Sequence, residues 1–274
     1  MPAPSTPATD PGARADQPAP MGLGTPWSRP GVTSFDLPSD GGGFRVLVAR
    51  PEAPAPPGGY GILYAMDAGW TFGTLCDLER LCDKSRSGAR DLPAVIVGLG
   101  WPTDSLIDFD RRGADLVGQA ARGASRAATL ALLAGQVIPR VEAALPVDPA
   151  HRMILGHSFG GAFALQARAL CPGLFSHVAT GSPSIWTDPE GIHAGARRAG
   201  GKLLITVGAL EDPGAAEAAG EPVDRIARLR TRDMTGHARR FAQQAGATFR
   251  TFDGVGHGAV IPGFLGAAHA FLRC

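Results

Sequence analysis

Apolar and polar positions alternate along Val32 to Leu37 and again along Phe44 to Ala49, on either side of Gly41-Gly42-Gly43. A period of two around a glycine turn predicts an antiparallel hairpin. Beyond the proline-rich connection Pro51 to Gly59 the pattern changes to short continuous apolar runs: Tyr60 to Met66, Ala94 to Leu99, Arg152 to Leu155, Phe175 to Gly181, Leu203 to Gly208, and the shorter Thr248 to Phe252. Between them lie stretches with helical periodicity, at Thr71 to Leu81, Ala127 to Leu145, from Ala162 onward, Asp224 to Ala245 and Phe264 to Leu272. Strands buried on both faces that alternate with helices imply an α/β fold: a mostly parallel central sheet, the hairpin at its N-terminal edge, and helices on both faces. We read residues 31–274 as one domain. Residues 1–30, rich in proline, alanine and small polar side chains, bury too little apolar surface to offset chain entropy and read as a tail, with Trp27 docked on the body.

The loops after parallel strands share one edge of the sheet, so the chemistry is sought there. Gly156-His157-Ser158-Phe159-Gly160-Gly161 stands between an apolar strand and a helix-forming run. Strand, G-x-S-x-G, helix is the context of a nucleophile elbow, in which the serine occupies a strained turn and its neighbours two positions away must lack side chains. The side chain of His157 is expected to point away from Ser158, into the sheet.

A serine hydroxyl needs a base to take its proton. Among seven histidines, His257 follows the last strand between two glycines, and the order serine, acid, histidine suits an elbow enzyme. The acid belongs in the loop after Gly208, where Glu211 and Asp212 stand side by side. Glu211 is favoured, with Asp212 the alternative, Asp224 more remote, and a dyad without any acid still open. Backbone N–H groups of Phe159 and Gly69, or of Ala68 in place of Gly69, are positioned to hold an oxyanion. Trp101 to Gly123 reads as a long connection carrying Asp108, Asp110, Arg111, Arg112 and Asp115.

A net charge of +1 over 274 residues gives no field to gather nucleic acid. The four cysteines lack metal-ligand spacing, and Cys76 and Cys82, six residues apart on one helix, would lie about 9 Å apart, beyond disulfide reach. With no apolar run of membrane-spanning length and no secretory pattern, a cytoplasmic protein is expected.

Five separated motifs together resemble the esterase branch of the α/β-hydrolases: Leu63 to Gly69, Arg111-Arg112-x-x-Asp115-Leu116, Gly156 to Gly161, Ser182 to Trp186, and Gly256-His257-Gly258. Within that branch the likeness is strongest to enterobactin-type siderophore trilactone esterases. The resemblance implies an α/β-hydrolase fold and a serine esterase that opens ester bonds of a macrocyclic catecholate siderophore through an acyl-enzyme. It needs no metal or organic cofactor of its own, because iron would arrive inside the substrate. It implies that Arg111 and Arg112 meet catecholate oxygens and that Trp186 forms an aromatic wall. The chain departs from the family pattern at Asp67-Ala68-Gly69, where Asp-Gly-Asn is usual, and at Thr187, where a second tryptophan is expected. A general carboxylesterase and an acyltransferase would share the Ser-His site, and a non-catalytic binding protein would lack it.

Overall fold

A computed structural model describes residues 29–39, 41–85, 92–119, 123–198 and 201–274; the expected tail with Trp27 lies outside the described residues except at its end. Residues Gly31–Cys274 form one compact unit. The hairpin is β1 (Val32–Leu37) and β2 (Phe44–Ala49). Six further strands follow: β3 (Tyr60–Met66), β4 (Ala94–Gly100), β5 (Val147–His157), β6 (His177–Gly181), β7 (Lys202–Gly208) and β8 (Thr248–Phe252). They form a single sheet in the order β1-β2-β4-β3-β5-β6-β7-β8. β1 with β2 and β2 with β4 are antiparallel, and every other pair is parallel.

Side-chain alternation builds two cores, one on each face of the sheet. Along β3, Ile62, Tyr64 and Met66 enter the larger core, whereas Leu63 and Ala65 face the smaller. The smaller core is closed by α1 (Ala68–Ser85) through Phe72 and Leu75, and by α10 (Ile261–Phe271) through Phe264, Leu265 and Ala268. On the other face lie α2 (Phe109–Val117), α3 (Arg126–Leu132), α4 (Ile138–Ala144), α5 (Phe159–Leu170), α6 (Pro189–Gly195) and α9 (Met234–Ala245). Two short elements, α7 (Pro213–Ala218) and α8 (Val223–Arg232), connect β7 to α9.

Three expected elements differ, each for a local reason. The long connection after β4 contains α2, because the Asp108 carboxylate caps the helix by accepting the Arg111 N–H and Gly118 ends it in the left-handed region. The helix expected from Ala127 to Leu145 widens into a π turn at Leu133–Val137. Pro139 there has no N–H to donate to the carbonyl four residues back, and its ring crowds that carbonyl. The helix expected from Asp224 to Ala245 breaks into α8 and α9 at Asp233, whose φ is +42°.

Glu79 of α1 is a buried tie between layers. Its carboxylate accepts the Ala94 N–H at 3.0 Å, meets His269 Nε2 at 2.8 Å, and accepts from Arg273 Nη2 at 2.6 Å. Burial alone would raise its pKa, but His269, Arg273 and the Ala94 amide together hold it down to about 2. A carboxylate depressed in the folded state stabilises the fold above its unfolded pKa and loses that contribution as pH falls. Glu79→Gln is therefore expected to lower the melting temperature at pH 7. The gap to the native chain should shrink as pH drops from about 4.5 towards 2, the span between its ordinary and folded values, as read by circular-dichroism melts.

Candidate active site

The carboxyl edge of the sheet carries unusual backbone. Among the described residues four that are not glycine have positive φ, and three of them directly follow β3, β5 and β6: Asp67 at +58°, Ser158 at +59° and Ser182 at +44°. Ser158 also has ψ of −116° and precedes the first residue of α5. Its N–H donates to Gly181 O at 2.9 Å, and its carbonyl accepts the Ser184 N–H at 3.0 Å. Strand-to-helix passage is this tight because glycines permit it. A Cβ on Gly156 would lie 2.3 Å from the Gly160 carbonyl, and one on Gly160 would lie 2.9 Å from Asp67 Oδ2. The first-turn amides of α1 and α5, including those of Gly69 and Phe159, have no acceptor earlier in their own helices.

Glu211 sits on a single 3-10 turn, Ala209–Glu211, immediately after β7 and is 1 % exposed. Its Oε1 accepts the Gly208 N–H at 2.8 Å and the Ser182 hydroxyl, and its Oε2 meets His257 Nδ1 at 2.7 Å. Asp212, the alternative acid, instead caps α7 by accepting the Gly214 and Ala215 N–H groups at 2.9 and 3.1 Å. Asp224 pairs with Arg228 on the surface of α8. With Nδ1 engaged by Glu211, the free nitrogen of His257 is Nε2. Ser158 Oγ is hydrogen-bonded to Ser184 Oγ at 3.2 Å, and no hydrogen bond joins it to His257. Ser182 and Ser184 are thus two site residues to which the sequence reading gave no role, although they belong to the Ser182 to Trp186 motif.

The structure corrects the placement of three side chains. His157 does not point away from the site: its buried ring lies against that of His257, with centroids 4.5 Å apart. Arg111 and Arg112, expected at a substrate surface, are 3 % and 7 % exposed and already engaged. Arg111 donates to Gly43 O at 2.7 Å and pairs with Asp115 at 3.1 Å, and Asp115 also accepts the Trp101 indole N–H. Arg112 forms a two-pronged pair with Asp67, both contacts at 2.8 Å, and donates to His157 O at 3.3 Å. Burial pushes the Asp67 carboxyl above the usual carboxylate range, and the Arg112 fork works against that rise. Neither guanidinium faces solvent because the loops around the strand ends need both as internal hydrogen-bond donors.

Beside His257 opens a cavity of about 450 Å³, walled by Glu211, Met234 and three arginines of α8: Arg225, Arg228 and Arg232. These positions recur at helical spacing and turn one face of α8 to the cavity. Arg225 is bridged to Glu221 and Arg228 to Asp224, each four residues earlier. Arg232 lies over the Trp186 ring at 4.8 Å and has no carboxylate partner among the described residues. Trp186 continues a stack along the rim: Phe109 to Trp70 at 6.3 Å, Arg112 at 5.0 Å from both Trp70 and Phe159, and Phe159 to Trp186 at 6.1 Å.

Comparison with known proteins places the chain in a family. A family profile described as "Putative esterase" matches residues 41–253. The chain belongs to this esterase family. Among curated relatives, the ferri-bacillibactin esterase BesA of Bacillus subtilis (strain 168) is 28 % identical over 161 residues, covering 53 % of this chain and 55 % of the relative. The apo-salmochelin esterase of Escherichia coli O6:H1 is 31 % identical over 169 residues, 56 % of this chain and 51 % of the relative. The chain thus spans about half the length of the curated relatives it matches. Among solved structures, the siderophore hydrolase EstB from Aspergillus nidulans superposes with a TM-score of 0.78 at 21 % identity, over 91 % of this chain and 97 % of that one. The fold is that of the α/β-hydrolases. No helix among the described residues is long and apolar enough to cross a membrane.

The buried Arg112–Asp67 pair yields a test that separates a structural from a substrate-binding arginine. Arg112→Met strands a carboxylate at zero exposure and is expected to cost about 3–5 kcal/mol in chemical denaturation. Adding Asp67→Leu should recover much of that loss. A substrate-contact role would instead raise KM and leave stability unchanged.

Proposed function

We propose that this esterase-family chain is a serine hydrolase that cleaves carboxylic esters through an acyl-enzyme. The observation that carries the reading is the Glu211–His257 hydrogen bond next to the strained serine turn. Glu211, dry and fixed by Gly208 and Ser182, orients His257 and stabilises its charged form. Ser158 turns its hydroxyl from Ser184 to His257 Nε2, gives up its proton there and attacks the ester carbonyl. The N–H groups of Phe159 and Gly69 hold the oxyanion that forms. The alcohol leaves with the proton carried by His257. Water, deprotonated in turn by His257, then releases the acid and restores the serine.

The substrate we propose is a macrocyclic catecholate siderophore, with iron carried as part of the substrate. The named activities of the two curated relatives support it, and so does the wall of the cavity. Flat anionic rings are matched by guanidinium and aromatic faces together, which is what the rim stack and the arginine face of α8 present. The contact role first read onto Arg111 and Arg112 belongs in this reading to Arg225, Arg228 and Arg232, with Trp186 as the aromatic wall beside them.

Two outcomes are expected. Mass spectrometry of products from ferric and iron-free catecholate trilactones should show linearised chains with the native protein, and a rate lower by about 10⁴-fold or more with Ser158→Ala. Transfer of the acyl group to an added alcohol in preference to water would make the chain an acyltransferase. Arg232→Ala should raise KM for the anionic trilactone several-fold and leave hydrolysis of a neutral ester such as 4-nitrophenyl acetate unchanged. Equal loss on both substrates would place Arg232 outside the binding surface.

A further inference from the structure

We infer that His157, the residue before the nucleophile, is a positioning residue: its ring, buried against one face of the His257 ring at 4.5 Å, sets the tilt of the general base and stabilises it when it takes up the proton. This rests on the roles proposed above for Ser158 and His257.

Among the described residues the His257 side chain makes one hydrogen bond, from Nδ1 to Glu211, and it is 41 % exposed. One such bond fixes where the ring is anchored but leaves it free to swing about the bond. On its exposed side the ring borders the cavity, so a close packed restraint is sought on its buried side. His157 supplies it: the ring is 2 % exposed, its carbonyl is held by Arg112, and its planes meet those of His257 at 46°.

Restraint alone does not require an imidazole. The ring nitrogens of His157 are buried and make no hydrogen bond of good geometry among the described residues, their one polar contact being the backbone of His257, an arrangement that disfavours the fold relative to an apolar ring of similar shape. A polar ring kept here despite that penalty is explained by the moment at which His257 becomes an imidazolium. A neutral imidazole beside it presents a lone pair and a polarisable face to the new charge, which phenylalanine offers only in part. His157 must then stay neutral, and burial pushes it down to about 3, helped by the charge on His257 and by Arg112. The charged groups around the pair are few. His257 faces Glu211 from the turn after β7 and Arg225, itself bridged to Glu221, from α8. His157 faces Arg112 from α2, paired with Asp67 after β3.

The experiment is the pH profile of kcat/KM with 4-nitrophenyl acetate for the native chain, His157→Phe, His157→Gln and Ser158→Ala, with melting temperatures alongside. His157→Phe is expected to melt at the native temperature or above, keep its KM, lose about tenfold in kcat, and show the acid limb of its profile displaced to lower pH. His157→Gln, which restores a neutral dipole, should recover part of the rate. A native rate and acid limb in both variants, or a fall in kcat that tracks a fall in melting temperature in both, would overturn the inference. A native chain no faster than Ser158→Ala would overturn the reading of the site itself, a different result from a change confined to position 157.

Discussion

The buried pair between Asp67 and Arg112 is the interaction on which the site depends. Asp67 directly follows β3 and Arg112 belongs to α2, forty-five residues later, so their two-pronged contact closes a loop across the centre of the sheet. The same guanidinium donates to the carbonyl of His157 at the end of β5, and its centre lies 5.0 Å from the rings of both Trp70 and Phe159. One side chain thereby ties together the ends of two neighbouring central strands and the first turns of α1 and α5, the two helices whose amides we propose hold the oxyanion. An ion pair with no access to solvent contributes little net stability compared with an apolar replacement, and its value here is geometric. It allows a single arrangement of those four elements.

Backbone strain is concentrated where that arrangement needs it. Asp67, Ser158 and Ser182 each leave a central strand with positive φ, a conformation costing of order 1–3 kcal/mol per residue that persists only when its surroundings over-determine it. The surroundings can be named. Asp67 is held by Arg112, Ser158 by backbone bonds to Gly181 and Ser184, and Ser182 by its N–H to Thr206 O and its hydroxyl to Glu211. Glu211 thus restrains the β6 loop with one oxygen and His257 with the other. The residue we propose as the acid is also a structural joint between two loops.

Most of the sheet was legible because buried parallel strands leave continuous apolar runs, and β3, β4 and β7 fall within a residue of their expected bounds. The elbow was legible for a comparable reason, since its glycines answer to steric contacts that any sequence on this turn must satisfy. Side chains whose partners are distant in sequence were not. Arg111 and Arg112 read as free charges because nothing local shows that Gly43, Asp115 and Asp67 will engage them. His157 read as inward-pointing because the position of the β8 loop relative to β5 is a tertiary fact. The arginine face of α8 was hidden inside a helix taken as continuous to Ala245, although Arg225, Arg228 and Arg232 already stood at helical spacing. Between Glu211 and Asp212 the choice turned on three residues of 3-10 turn and a cap, below what sequence pattern distinguishes.

The two sets of arginines divide the work of the site by their burial. Arg111 and Arg112 are buried, and their charges are engaged by carbonyls and carboxylates that shape the loops. Arg225, Arg228 and Arg232 stand at the cavity wall with partial or full solvent access, where each holds a charge that an incoming anion can meet. Two of these three are moderated by carboxylates one turn earlier, and the third rests on Trp186 instead. A guanidinium laid on an indole keeps its edge N–H groups free while its apolar face is covered. Arg232, with no carboxylate partner among the described residues, suits in the proposed function a ligand whose anionic oxygens lie at the edge of an aromatic ring. In the function we propose, rigid geometry is thus built from buried charge, and affinity from exposed charge.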